Sequence, residues 1–249
     1  MTWRRRVPVV DGSVPYGCAP ARLTVVRHGE STANEVFARA ERTGDPGLAV
    51  AEETDRQVPL SAAGVGQAEA LGRWLAGLGA RERPHLVVCS PYVRAVRTWE
   101  VMASVARAAG ASYGPAPFDE RLRDREMGVL ELMTPPAVRA SAPAEADRRG
   151  RVGEWFYRPP GGESLADVTL RVRDFLAEFG PAAAGRRVLL VAHDSVVLAV
   201  GRVLAGIGGA PAAAAPSQVP NASVSRWVRD GAGLRPVEIG GTRHLGAGR

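Results

Sequence analysis

Three short apolar runs stand out along the chain: LTVV at 23–26, LVVC at 86–89 and VLLVA at 188–192. Each is rich in β-branched residues, too short for a buried helix and bounded by polar or turn-forming residues, so each predicts a buried strand. Between them the period changes. In LSAAGVGQAEALGRWLAGLG, residues Leu71, Trp74, Leu75 and Leu78 recur at helical spacing behind Ser61, a plausible cap. PYVRAVRTWEVMASVARAA predicts a helix with Pro91 in its first turn. ESLADVTLRVRDFLAEFG is amphipathic, with Ser164 and Asp167 spaced as a capping box. Helices are also expected over 29–42, stopped by TGDPG, and over SVVLAVGRVLAGI. A short strand is expected just before Phe118, and ASVSRWVRD and RPVEIGG, separated by GAGL, predict a closing hairpin.

Strands alternating with helices predict an α/β fold, a three-layer α/β/α sandwich with a mostly parallel central sheet. The expected organisation is an irregular arm over 1–20, then a single domain over 21–249. The stretch 133–162, rich in Pro, Gly and Arg, interrupts the alternation as a lid insertion, and GAPAAAAPSQVP reads as a linker. In parallel-rich sheets, sites form beyond the carboxyl ends of strands, and His28, Ser90 and His193 all stand at such ends.

Composition narrows the function. No run is long and apolar enough for a membrane span, and the basic start MTWRRRVPVV lacks a signal-like core, so the cytoplasm is the expected location. Cys18 and Cys89 are too few for a disulfide framework or zinc site, and Cys89 reads as a small buried thiol. The net charge of +6 comes entirely from arginine over lysine, and its clusters are short and lack aromatic platforms. A small anionic ligand is favoured over nucleic acid.

Arg27-His28, Arg94 on the first turns of a helix, and His193 at a third strand end are therefore placed to converge. Guanidinium forks suit phosphoryl oxygens, and the helix opening after Gly29 adds N–H groups and the positive end of its dipole. An imidazole can attack phosphorus and later release the phosphoryl group without a metal. The leaving alkoxide needs a proton. Asp119, Glu120, Asp124 and Glu126 in DERLRDREMG, and Asp194, are the carboxyl groups available to give it.

VVRHGESTAN, PLSAAGVGQA, SPYVRAVRT, RLRDREMGVLELMT, GGESLADV and LLVAHDSVV resemble, in order, the sequence blocks of the histidine phosphatase superfamily, more closely its phosphoglycerate mutase-like branch. The resemblance runs from about Leu23 to Gly206, with similar closing strands after it. It implies that His28 is the phosphorylated nucleophile, that Arg27, Arg94 and His193 form the phosphate pocket, and that Asn34 adds a contact. The glutamate of the family's acid block falls on Asp124, closed by Gly128, and Glu163 falls at the pocket rim. No metal and no cofactor are implied. Two departures stand out. Asp124 is one methylene shorter than the family's glutamate. His193 is followed by Asp194, and in the acid phosphatase branch the aspartate of a His-Asp pair donates the proton, so Asp194 rivals Asp124. DRRGRVGEWFYR, at 147–158, combines Trp155, Phe156 and Tyr157 with arginines, as either a lid over the substrate or a loop packing on the core. The expected activity is metal-independent hydrolysis of a small phosphomonoester through a phosphohistidine. Mutase-type phosphoryl transfer and a catalytically silent phosphate-binding module are the alternatives. The expected partner is a phosphorylated small molecule, with no nucleic acid or membrane; a homodimer is compatible with this reading.

Overall fold

The computed structural model describes residues 20–205, 219–231 and 233–246. The arm expected over 1–20 and most of the 209–220 linker lie outside the described residues.

Strands β1 (Arg22–Arg27), β2 (Leu86–Cys89), β3 (Arg187–Ala192), β4 (Val224–Asp230) and β5 (Gly233–Gly241) form one sheet in the order β2-β3-β1-β4-β5. β2, β3 and β1 are parallel; β4 runs against β1, and β5 against β4. Four of the five strands thus point the same way. The expected strand before Phe118 is reduced to a single parallel bridge between Phe118 and Cys89 at the β2 edge.

The apolar runs are uninterrupted because both faces of the sheet are covered, and side-chain parity decides which layer each residue joins. Leu23, Val25, Val188 and Leu190 pack with Val168, Val172 and Phe175 of α6 (Leu165–Ala183) and Val196 and Val200 of α7 (Asp194–Leu204). Val26, Leu189 and Val191 face the opposite way. They meet Leu71 and Leu75 of α2 (Ala62–Gly77) and Ala95, Trp99 and Met102 of α3 (Val93–Ala108). The three-layer sandwich is therefore written into alternate residues of the central strands.

Capping sets where the helices start. Ser31 and Asn34 form a capping box that opens α1 (Thr32–Thr43), and Ser164 and Asp167 form the one that opens α6. Gly44 ends α1 in the left-handed conformation. Pro91 precedes α3 rather than lying in its first turn, since Tyr92 is the cap residue. Two short helices, α4 (Pro135–Ser141) and α5 (Pro143–Val152), occupy the 133–162 stretch. They are held by a small separate core of Leu130, Val138 and Tyr157. A terminal turn, α8 (Arg243–Gly246), follows the hairpin. Among the described residues no helix is long and apolar enough to cross a membrane.

Candidate active site

β1 and β3 end in register, Arg27 opposite Ala192, and β2 ends one residue earlier, Cys89 opposite Val191. The next residue of each strand, His28, His193 and Ser90 respectively, therefore emerges within one residue of the same level above the sheet. His28 N–H donates to Ala192 O (2.9 Å) and Ser90 N–H to Val191 O (2.9 Å). A helix follows each exit, so α1, α3 and α7 direct their positive ends toward one place.

His28 is buried, its ring centroid 5.1 Å from that of His193. Its Nδ1 lies 2.7 Å from Gly29 O. A carbonyl only accepts, so Nδ1 carries the proton and Nε2 keeps the lone pair. Arg94 Nε–H donates to that Nε2 at 3.2 Å. Burial above all, then the charges of Arg94, His193 and Arg27, pull the His28 pKa well below its ordinary value. The imidazole is neutral at neutral pH.

Arg94 is 3% exposed and is held from three directions. Its Nη1 donates to Asp55 O (2.6 Å), and its Nη2 to Asp55 Oδ2 and Asp124 Oδ2 (2.9 Å each). Asp124 also accepts from Ser195 Oγ–H (2.7 Å) and from Arg125 N–H (2.8 Å). Its Oδ2 lies 3.3 Å from His193 Nδ1, without the alignment of a hydrogen bond. Burial alone would raise the Asp124 carboxyl. His193, Arg94 and Ser195 outweigh it and hold the group well below the usual carboxylate range. For Asp55 burial prevails, and with Asp124 nearby its carboxyl titrates above its ordinary value despite Arg94.

His193 is fully buried, its Nε2 sharing a hydrogen bond with Ser90 Oγ (2.8 Å). With Ser90 as donor, Nδ1 is the protonated nitrogen and turns toward Asp124. Burial lowers the His193 pKa even against the pull of Asp124. The ring is held toward its neutral form among these groups; a phosphoryl dianion beside it would push the other way.

Arg27, Asn34 and Asp194 also face the cavity that opens above His28, a space of about 570 Å³. Arg27 donates from Nη1 to Val219 O, and its Nη2 is 3.7 Å from Asp194 Oδ2. Asn34 Oδ1 accepts from Ser31 N–H (3.1 Å) and Asn221 Nδ2–H (2.9 Å), which leaves its amide N–H groups as the donors for the pocket. Asp194, with 42% of its side chain exposed, accepts from Ser195 N–H at the start of α7.

Seven of the eight residues expected from the sequence are therefore brought together, and Glu163 is not. Its carboxylate accepts from Arg123 (2.8 Å), from Arg171 twice (2.9 Å each) and from Glu126 N–H (3.1 Å). With Arg171 also donating to the backbone of Arg121, Arg123 and Asp124, Glu163 anchors the loop that delivers Asp124. It acts on the site through that loop. The aromatics of 155–157 also stay out of the cavity wall: Tyr157 is buried and donates to Glu145, while Phe156 is 68% exposed. From that segment only Arg149 and Glu154 reach the cavity.

Asp55, Ser195 and Gly64 are contributors that the sequence did not single out. Gly64 matters through close approach. A Cβ there would lie 1.9 Å from Glu30 O, and one on Gly29 would lie 2.5 Å from Gly64 O. The first turn of α2 thus abuts the loop carrying His28, pinned by Ser61 N–H to Glu30 O (2.9 Å). Gly64→Ala should destabilise the fold by roughly 1–3 kcal/mol through forced backbone displacement, read as a lower denaturant midpoint. An unchanged midpoint would mean the loop yields freely.

His28, Asp124 and His193 could offer a metal ion ligand atoms within 4.8 Å of one another. Arg94 already donates to both His28 and Asp124, so a guanidinium fills the position of positive charge.

Comparison with known proteins places this geometry. Residues 23–241 match the model of the histidine phosphatase superfamily, branch 1. A relative named probable phosphoglycerate mutase GpmB, from Salmonella paratyphi C, is 34% identical over 207 residues, covering 82% of this chain and 83% of its own. The alpha-ribazole phosphatase of Shigella flexneri superposes with a TM-score of 0.68 at 19% identity, covering 88% of this chain and 96% of its own. A mycobacterial glucosyl-3-phosphoglycerate phosphatase gives 0.65 at 24%, covering 89% and 100%. At these identities the two structures bear on the fold. The family match, the relative and the paired histidines at the strand ends agree: this chain belongs to branch 1 of the histidine phosphatase superfamily.

Proposed function

We propose that this protein is a metal-independent phosphatase that hydrolyses a small-molecule phosphomonoester through a phosphohistidine. The observation that carries the reading is the fixed tautomer of His28: with Nδ1–H bound to Gly29 O, the Nε2 lone pair meets the cavity and Arg94. In the first step Nε2 bonds to phosphorus and the ester P–O bond breaks. Arg27 and Arg94 offset the charge of the phosphoryl oxygens, the Asn34 amide donates to them, His193 joins as the dianion lifts it toward protonation, and Gly29 O supports the imidazolium that forms.

Asp124 gives the leaving oxygen its proton. Among the groups present it is held as a carboxylate, but a phosphoryl dianion competes for Arg94 and adds negative charge, and both effects lift Asp124 toward protonation. In the second step water attacks phosphorus, Asp124 takes a water proton, and the P–N bond breaks to return neutral His28.

A panel of phosphomonoesters, assayed for phosphate release in excess chelator, tests this reading. Activity should survive, because arginines supply the charge that Mg²⁺ supplies elsewhere. Loss on chelation with recovery on adding Mg²⁺ would overturn it. The name of the Salmonella relative supports a second reading, phosphoryl return to another hydroxyl of phosphoglycerate. Interconversion of 2- and 3-phosphoglycerate, without net phosphate release, would establish that one instead.

A further inference from the structure

The cavity above His28 has two unlike halves. The floor is charged: Arg27, Arg94, Asp55, Asp124 and Asp194. Beyond it an apolar strip lines the cavity, formed by Phe37 of α1, Met127, Leu130, Leu132 and Met133 before α4, and Leu198 of α7, with Glu126, Glu131 and the Arg125–Glu154–Arg149 group beside it. At about 570 Å³ the whole space falls in the range, ~300–1,000 Å³, of pockets that bury drug-sized ligands. A three-carbon phosphorylated acid would leave that strip uncovered.

Leu132 supplies an independent observation. It has φ +59°, a left-handed backbone that leucine adopts only under strain and glycine adopts freely. The turn imposing it is closed on both sides, by Glu131 N–H to Gly128 O (2.9 Å) and Met133 N–H to Leu130 O (3.1 Å). What the leucine side chain gains in return is a place on the cavity wall. Glu154 accepts from Arg125 (2.5 Å) and Arg149 (2.6 Å), and Glu131 accepts from Asp55 N–H (2.7 Å). With Glu126, the charged side chains on this part of the lining are two arginines and three glutamates, so it offers no excess positive charge to a second anionic group on the substrate.

Resting on the phosphatase reading, we propose that the substrate is the phosphate monoester of a predominantly apolar alcohol, and that Leu132 is a specificity-determining residue contacting its organic part. The phosphoryl group sits on the charged floor while the body lies against Leu132, Phe37 and Met133.

The test is a homologous series, ethyl to n-hexyl phosphate, whose leaving groups differ little in basicity. One fully buried methylene is worth about fourfold, so kcat/KM should rise at least about tenfold along the series, mainly through KM. Glycerol 3-phosphate and 3-phosphoglycerate should be poorer substrates than the hexyl ester. Leu132→Gly should flatten the series several-fold by raising the hexyl KM, while its unfolding midpoint holds or rises because glycine relieves the strain. A flat series in the parent protein, or a preference for 3-phosphoglycerate, overturns the proposal; an undiminished series in Leu132→Gly overturns the role of Leu132. If no ester is hydrolysed, the phosphatase reading fails on its own. Calorimetric binding of hexylphosphonate against ethylphosphonate then decides this one, tighter hexyl binding supporting it and equal affinity overturning it.

Discussion

His28→Ala should abolish phosphate release from every substrate, a loss on the order of 10⁴-fold or more if covalent transfer is the route. Among the described histidines only His28 lines the cavity, with Nδ1–H anchored on a carbonyl and the Nε2 lone pair held toward Arg94. His193 is equally buried, but its Nε2 is committed to Ser90 and its Nδ1 turns toward Asp124. Protein quenched during turnover of a radiolabelled ester should carry acid-labile, base-stable phosphate on His28, and the alanine variant none. Label on His193 or on a serine would remove His28 from the nucleophile's place. The depressed pKa adds a pH signature. Because burial and the adjacent arginines disfavour the imidazolium, the nucleophile stays neutral through the neutral range, and the rate attributable to it falls only on the acid side.

Much of this site is legible in the sequence because its framework is periodic. Three apolar runs, each followed by a helix, place His28, Ser90 and His193 at strand exits, and parallel pairing of those strands brings the exits together. What escapes has no periodic signal. Asp55 lies in a polar stretch between two helices, and only the fold brings it onto Arg94. Ser195 follows a His-Asp pair that draws attention to itself, yet its hydroxyl is what binds Asp124. The face-to-face contact of Gly29 and Gly64 crosses from one element to another, so neither glycine announces it. Glu163 shows the opposite error. A block resemblance brings it to the pocket rim, while the density of arginines around it (Arg123 and Arg171 on its carboxylate, Arg125 on its carbonyl) makes it a loop anchor. The aromatic-arginine segment at 147–158 divides as its chemistry suggests: Tyr157 is buried and the charged Arg149 and Glu154 reach the cavity.

Asp124→Asn should cost far more on an alkyl phosphate than on p-nitrophenyl phosphate. An alkoxide cannot leave phosphorus without a proton, whereas nitrophenolate nearly can, so loss of the true donor is felt in proportion to leaving-group basicity. General-acid assistance is typically ~10²–10⁴-fold, which sets the size of the gap between the two substrates. The structure separates the two aspartates by surroundings. Asp124 stands on the cavity floor within 2.9 Å of Arg94 and 3.3 Å of His193, the groups that would share the phosphoryl oxygens. Asp194 is more exposed, occupied by the Ser195 N–H in the first turn of α7, and 3.7 Å from Arg27. Its asparagine variant should lower both rates by a similar, smaller factor, through Arg27 and the start of α7. Asparagine at 124 keeps an acceptor for Ser195 and for the Arg125 N–H, so the loop should hold its place and a folding defect should not mimic the chemical one. The two substrates on each variant give four rates, and their ratios decide the assignment. Leaving-group sensitivity appearing only at Asp194 would move the acid to the His-Asp pair and leave Asp124 as the group that orients Arg94 and His193. Equal sensitivity at both positions would reject a single donor, and a proton shared through water between the two carboxylates would take its place.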